Sequence, residues 1–259
     1  MIEKSKRTSS RPKNYWYWPK PINNIDLIIN AVNSISSMDG KEWVISSGNQ
    51  KKMMELLVEK GMHIHADNMS GRNWMSAFQL YGLVYPKRVE NKKIITITPV
   101  GKSLKQSTRK SRREIITYQF MKLQFRNPSN ARFLEETLKV NPLYVVCKVI
   151  SELESISQIE MAYFVMKIQN HSEINSTIKE IKKFRKTKKE PEINYKAKSL
   201  LRDYANRILR RAFVYTELLE ESEKNTYKIN PHKKDRVEKF ISIEPKIKEN
   251  CVNELGWNE

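Results

Sequence analysis

Cysteine is nearly absent from this sequence. Cys147 and Cys251 are its two thiols, too few and too far apart for a disulfide framework or a zinc site. Glycine is scarce, with seven residues, and neither a glycine-rich phosphate loop nor a G-x-S-x-G elbow occurs. No apolar run approaches the roughly 20 residues that a bilayer-crossing helix needs, so no membrane partner is expected. The N-terminal MIEKSKRTSSRPKNYWYWPKP is basic but has no apolar stretch of the kind a secretory signal carries. The expectation from these absences is a folded, helix-rich, cytoplasmic protein.

What the sequence has in excess is positive charge. Lys and Arg number 48 against 29 Asp and Glu, a formal charge of +19. A globular chain this basic repels itself, and a polyanion is the usual reason for the surplus. Nucleic acid leads, ahead of an acidic membrane or protein surface. Residues 102–113 concentrate the effect: Lys102, Lys105, Arg109, Lys110, Arg112 and Arg113 with no acid among them. A plain solvated helix face mixes signs, so phosphate contact is favoured there.

Residues 1–20 read as a basic aromatic arm, with prolines 12 and 19 around Tyr15, Trp16, Tyr17 and Trp18. Anchoring of the arm in the core by these rings is the favoured reading. An arm reaching along a DNA groove is the sharper one. Helical periodicity starts at Ile25, and Gln50–Lys60 reads as an amphipathic helix with Gly61 as its cap. Ser70 is expected to cap a helix running to about Leu80. Trp74, Phe78 and Tyr81 fall on one buried stripe of it, leaving Arg72, Asn73, Ser76 and Gln79 exposed. β-like runs at 83–85 and 94–98 follow, with Lys87, Arg88, Lys92 and Lys93 in the turn between them. Helix, helix and basic hairpin is the order of a winged helix, in which the second helix enters the major groove and the hairpin touches phosphate.

Residues 114–139 are expected to continue as helix, with a break at Asn127-Pro128-Ser129. A buried helix is expected over Leu143–Ile150, with Cys147 a core thiol. Ser157 and Glu160 have capping-box spacing. Residues 177–189 carry six Lys and one Arg against one Glu. Tyr195–Ala212 reads as an amphipathic helix with Lys198, Arg202, Arg207, Arg210 and Arg211 on its polar side. The runs Phe213–Thr216 and Asn225–Ile229 would then form a second hairpin. The resulting expectation is a mainly α chain with small β-hairpins (α+β) and two winged-helix-like subdomains, at 21–113 and 114–240, with 241–259 a linker or tail. Cations near 87–113 and 182–211 would grip phosphate. Arg72, Asn73, Ser76 and Gln79 would face base edges, where Arg pairs with guanine and Asn or Gln with adenine, and Ser70 belongs to the same DNA-binding set.

Catalytic patterns are weak. A Mg²⁺-dependent nuclease needs clustered acids beside a lysine. Glu244-Pro245-Lys246, with Asp235 upstream, has the spacing, but Pro245 spoils a central strand. Glu180-Ile181-Lys182 sits in a helical run. Neither triplet is assigned a catalytic role, and no catalytic or metal-binding residue is assigned. His63 and His65, with Asp67 nearby, read as loop residues rather than ligands.

Several segments together resemble a known family. They are Ser70-Gly71-Arg72-Asn73, Tyr81-Gly82-Leu83-Val84-Tyr85, and Ile95-Thr96-Ile97-Thr98-Pro99-Val100-Gly101-Lys102. They continue with Tyr118–Phe125, Asn141-Pro142-Leu143, Ile159–Phe164, Ile181–Arg185 and the stretch from Arg207 to Tyr215. In order and spacing they resemble the N-terminal part of AlwI-type restriction endonucleases, type IIS enzymes with nicking relatives, over about 65–240. The resemblance implies recognition of a short asymmetric site in double-stranded DNA by winged-helix-like subdomains. It also implies a Mg²⁺-dependent nuclease domain of the PD-(D/E)xK class, expected here as a separate domain or partner subunit. Mg²⁺ is expected only for that domain. A non-enzymatic winged-helix transcription regulator is the alternative function, and a compact nuclease using Glu244 and Lys246 is a third.

Overall fold

The computed structural model describes residues 14–18, 25–43, 48–59, 69–125 and 138–247. These residues form a mainly helical α+β structure with two small antiparallel sheets. The first half runs α1 (Ile25–Ser34), α2 (Asn49–Glu59), α3 (Met69–Leu80), β1 (Val84–Val89), β2 (Lys92–Ile97), α4 (Pro99–Ser103) and α5 (Arg109–Lys122). The second runs α6 (Pro142–Leu153), β3 (Ser155–Ser157), α7 (Gln158–Tyr163), α8 (Ile174–Thr187), α9 (Tyr195–Asn206), β4 (Leu219–Glu223), β5 (Thr226–Ile229) and α10 (Lys234–Ile241). A wide π-helical turn, Arg207–Phe213, extends α9 toward β4. Gly61 and residues 63–67, with both histidines named above, lie outside the described residues, as does the Asn127–Ser129 break.

The two halves share a topology. In the second, β5 lies between β3 and β4. In the first, β1 and β2 pair as a hairpin, and the segment at 40–43 adds a third edge. Gly40 N–H donates to the Ile95 carbonyl, Ile95 N–H donates to that of Lys41, and Trp43 N–H to that of Lys93. β2 therefore takes the central place that β5 takes later. This leaves β1 at the edge, where Pro86 opposite Ile95 costs no ladder hydrogen bond.

The buried side chains form one continuous cluster through both halves, and the aromatic arm is part of it. Trp16 is fully buried and Trp18 nearly so. The Trp16 indole N–H donates to the Ile168 carbonyl at 2.7 Å, the partner a buried indole requires. Its backbone N–H donates to Met166. Trp18 stacks on Phe120 and meets Phe125 and Phe213 edge-on. The aromatics are thus spent on anchoring, as the simpler reading expected.

Three expected elements differ. α5 stops at Lys122, because Leu123 turns extended and Phe125 donates to Val140 while burying its ring against Trp16. Phe213–Thr216 is helical rather than strand, because Phe213 completes the core beside Trp18 and Phe120. The second hairpin instead uses Leu219–Glu223, an acidic segment whose composition hides a strand. Cys147 is fully buried in α6, and burial pushes its thiol up to about 12.

Candidate nucleic-acid interface

α3 is held by its apolar stripe. Trp74, Phe78 and Tyr81 are buried, and α3 packs on α1, α2 and β1. Gly82, at φ 66°, ends it with a left-handed turn that costs a glycine little. That packing covers more of the helix than the sequence suggests. Asn73, Ser76 and Gln79 are half-buried rather than exposed, and the Ser76 hydroxyl is enclosed with no hydrogen-bond partner among the described residues. Ser70 lies within α3, which starts at Met69. The Ser70 and Arg72 side chains lie outside the described residues.

The basic residues of the hairpin sit in its strands, not its turn. Lys87 and Arg88 belong to β1, Lys92 and Lys93 to β2, and Glu90-Asn91 make the turn. Arg88's side chain is outside the described residues, and Lys87 is half-buried. Thr98 then joins the hairpin to α4. Its hydroxyl donates to the Gly82 carbonyl at 2.7 Å and accepts the Gly101 N–H at 3.0 Å. Thr108 caps α5 in the same way through Ser111. Arg109 and Lys110 therefore stand in the first turn of α5, where the helix dipole opposes cations and no acid offsets them.

Ion pairing sorts the remaining cations. Lys92, Lys93, Lys105, Arg109 and Lys110 are exposed, with no carboxylate at ion-pair distance among the described residues. Lys102 reaches Asp39 at 3.0 Å. Arg112 donates to the Leu104 carbonyl at 3.3 Å. Arg113 pairs with Glu217 and lies over the Tyr215 ring.

α9 departs further from expectation. Lys198 and Arg202 both hold Glu190, at 2.7 and 3.3 Å, and lie over the Tyr163 ring. Arg207 is buried, paired with Asp203, and donates to the Trp18 carbonyl at 3.4 Å. Arg210 is exposed with Glu221 3.7 Å away, and Arg211 is half-buried. The second hairpin carries Glu220, Glu221 and Glu223 where the first carries lysine. Much of the basic face expected on α9 is thus neutralised by acids of its own half, Glu190, Asp203 and Glu221, four to twelve residues away in sequence. A row of lysines without a carboxylate at ion-pair distance among the described residues lies on α8, whose charge run the sequence displays.

The acids of both nuclease triplets have charged or titratable neighbours. Glu180 is tied to Lys167 at 2.7 Å, and Glu244 lies 3.3 Å from His171 Nδ1. Among the described residues, no three His, Cys, Asp or Glu side chains gather as a metal site requires. The described residues do not fit a Mg²⁺ centre. No described helix is long and apolar enough to cross a membrane.

Comparison with known proteins places this geometry. No curated protein matches the chain. Among solved structures, it is similar to the crystal structure of pyrene- and phenanthrene-modified DNA in complex with the BpuJ1 endonuclease binding domain. The TM-score is 0.59 at 12% identity, with 90% of this chain and 88% of that chain covered. The likeness is one of fold. The model of the AlwI restriction endonuclease family matches residues 79–254. That span is well over half of the sequence, and the chain belongs to the AlwI restriction endonuclease family.

Proposed function

We propose that this chain is the DNA-recognition part of an AlwI-type, type IIS restriction endonuclease acting in the cytoplasm. It consists of two winged-helix-like units that bind a short asymmetric site as a monomer. The supporting observation is the set of five exposed, unpaired cations on consecutive elements, Lys92, Lys93, Lys105, Arg109 and Lys110. A phosphate beside the first turn of α5 would relieve the unfavourable dipole contact that Arg109 and Lys110 otherwise make. The likeness to a binding domain solved with DNA supports the same partner, and the repeated order of helices with a three-stranded edge supports the winged-helix label.

Within this reading, the hairpin and the start of α5 fix the protein on the backbone, and Arg72 and Asn73 of α3 read base edges. Ser76 is left out of that role because its hydroxyl is enclosed. Cleavage belongs to a Mg²⁺-dependent nuclease domain that the described residues do not form. Selection of duplexes from a random pool should enrich one asymmetric sequence bound by a monomer. Arg72→Ala should then weaken binding to that sequence by tenfold or more, a loss of about 1–3 kcal/mol, with little change on random duplex. Enrichment of a palindrome by a dimer, or of nothing, would refute the proposal.

A further inference from the structure

Residues 60–68 alone separate α2 from α3, whereas residues 164–194 separate α7 from α9 and carry the extra helix α8. α8 packs on α6 through one face, with Ile174, Thr177, Ile178 and Ile181 buried. Arg185 also turns inward, to Glu160 at 2.7 Å. The outer face is different. Lys179, Lys182, Lys183 and Lys186 are all exposed, and they recur at the spacing that puts them on one side of a helix. Lys188, in a left-handed cap, and Lys189 extend the run.

No carboxylate among the described residues stands at ion-pair distance from the four helical lysines. The helix's own acid, Glu180, is taken by Lys167. Like charges three and four residues apart repel, and only the last-turn end of the row, at Lys186, gains from the helix dipole. The exposed faces of α2 and α10, by contrast, mix signs, as in Lys51 with Glu55 and Lys234 with Glu238. Solubility alone therefore does not account for an unmixed row. Lysine rather than arginine suits a point-charge contact to phosphate that makes no demand on geometry or base sequence. The row is about 10 Å long at ~1.5 Å rise per residue, enough for two or three phosphates at a duplex rise of roughly 3.4 Å per step.

We propose that the outer face of α8 is a second backbone clamp, gripping phosphates of the duplex independently of sequence and separately from the β1–β2 hairpin. The inference rests on the DNA-recognition reading, and one experiment separates the two. Binding of a labelled random-sequence duplex of about 40 base pairs, long enough to extend beyond a compact site, is measured against salt for three proteins. They are the unaltered chain, a variant with Lys179, Lys182, Lys183 and Lys186 all changed to Gln, and a control with the same loss of charge. The control changes Lys51, Lys198, Lys228 and Lys234 to Gln, each of which already faces a carboxylate outside α8.

The expected result is a salt slope smaller in magnitude by about 2 for the α8 variant, at ~0.9 per phosphate contact, with the control close to the unaltered chain. An α8 variant with the original slope would overturn the clamp while leaving DNA recognition standing. Equal losses in both variants would overturn it in favour of net charge. No binding by the unaltered chain would overturn both readings.

Discussion

Arg185 and Glu160 meet at two points: Nε donates to Oε1 at 2.7 Å and Nη2 to Oε2 at 3.2 Å. The guanidinium also donates to the carbonyls of Leu153 and Ser155, and Glu160 closes the capping box of α7 by accepting from Ser157 N–H. One ion pair thus joins the end of α6, β3, α7 and α8. Removing one partner leaves a largely buried carboxylate uncompensated. Arg185→Ala is expected to lose about 3 kcal/mol of stability in urea unfolding, with DNA affinity of the folded protein unchanged. An undiminished midpoint would show the pair to be ornamental, and a lost salt slope would make Arg185 a DNA contact.

Arg207 separates structural from binding arginines in the same way. It is buried between Asp203 and the Trp18 carbonyl, so it locks the aromatic arm to α9. Arg207→Ala should lower stability by about 2 kcal/mol and leave the salt dependence of DNA binding as it was. A slope reduced by about 1 would mean a phosphate contact instead.

At Gly101 the constraint is steric. A β-carbon there would collide with the Leu83 carbonyl and crowd the Ile97 side chain. Gly101→Ala is therefore expected to cost about 1–3 kcal/mol, read as a lower thermal midpoint. A neutral substitution would mean that α4 can move away from β1.

His171 links stability to pH. Its Nε2 accepts the Asn141 N–H at 2.9 Å, and Nδ1 faces Glu244. Burial pushes the imidazole below its ordinary 6.5, with Glu244 opposing. The unfolded chain then takes up the proton first as pH falls. Stability is complete above about 6.5 and is lost as pH drops from there toward the folded value. His171→Gln, which keeps an acceptor but does not titrate, should show a smaller loss between pH 7 and 5. Glu244→Gln should show a larger one. Parallel curves for all three proteins would remove His171 from the account.

Local signals were legible where one segment decides its own fate. The Trp74, Phe78, Tyr81 stripe, the apolar run that becomes α6 and the Ser157–Glu160 box all emerge as read. Elements set by distant packing were not. Phe213 looks like strand until Trp18 is placed against it, and a strand reading Leu-Glu-Glu-Ser-Glu gives no period to find. The site shows the same division. Charge density at 102–113 was visible, but Arg113 is occupied by Glu217, a hundred residues on. Which cations remain free is a property of the fold, and the unmixed lysines of α8 are the part of the pattern that its charge run already displayed.

The unpaired cations are expected to lie against duplex phosphates, and salt dependence tests this most directly. Affinity for a duplex carrying the selected site, measured between about 50 and 200 mM monovalent salt, is expected to fall by 10³-fold or more, as release of counterions from roughly six phosphates demands. An affinity that stays level across that range would contradict it.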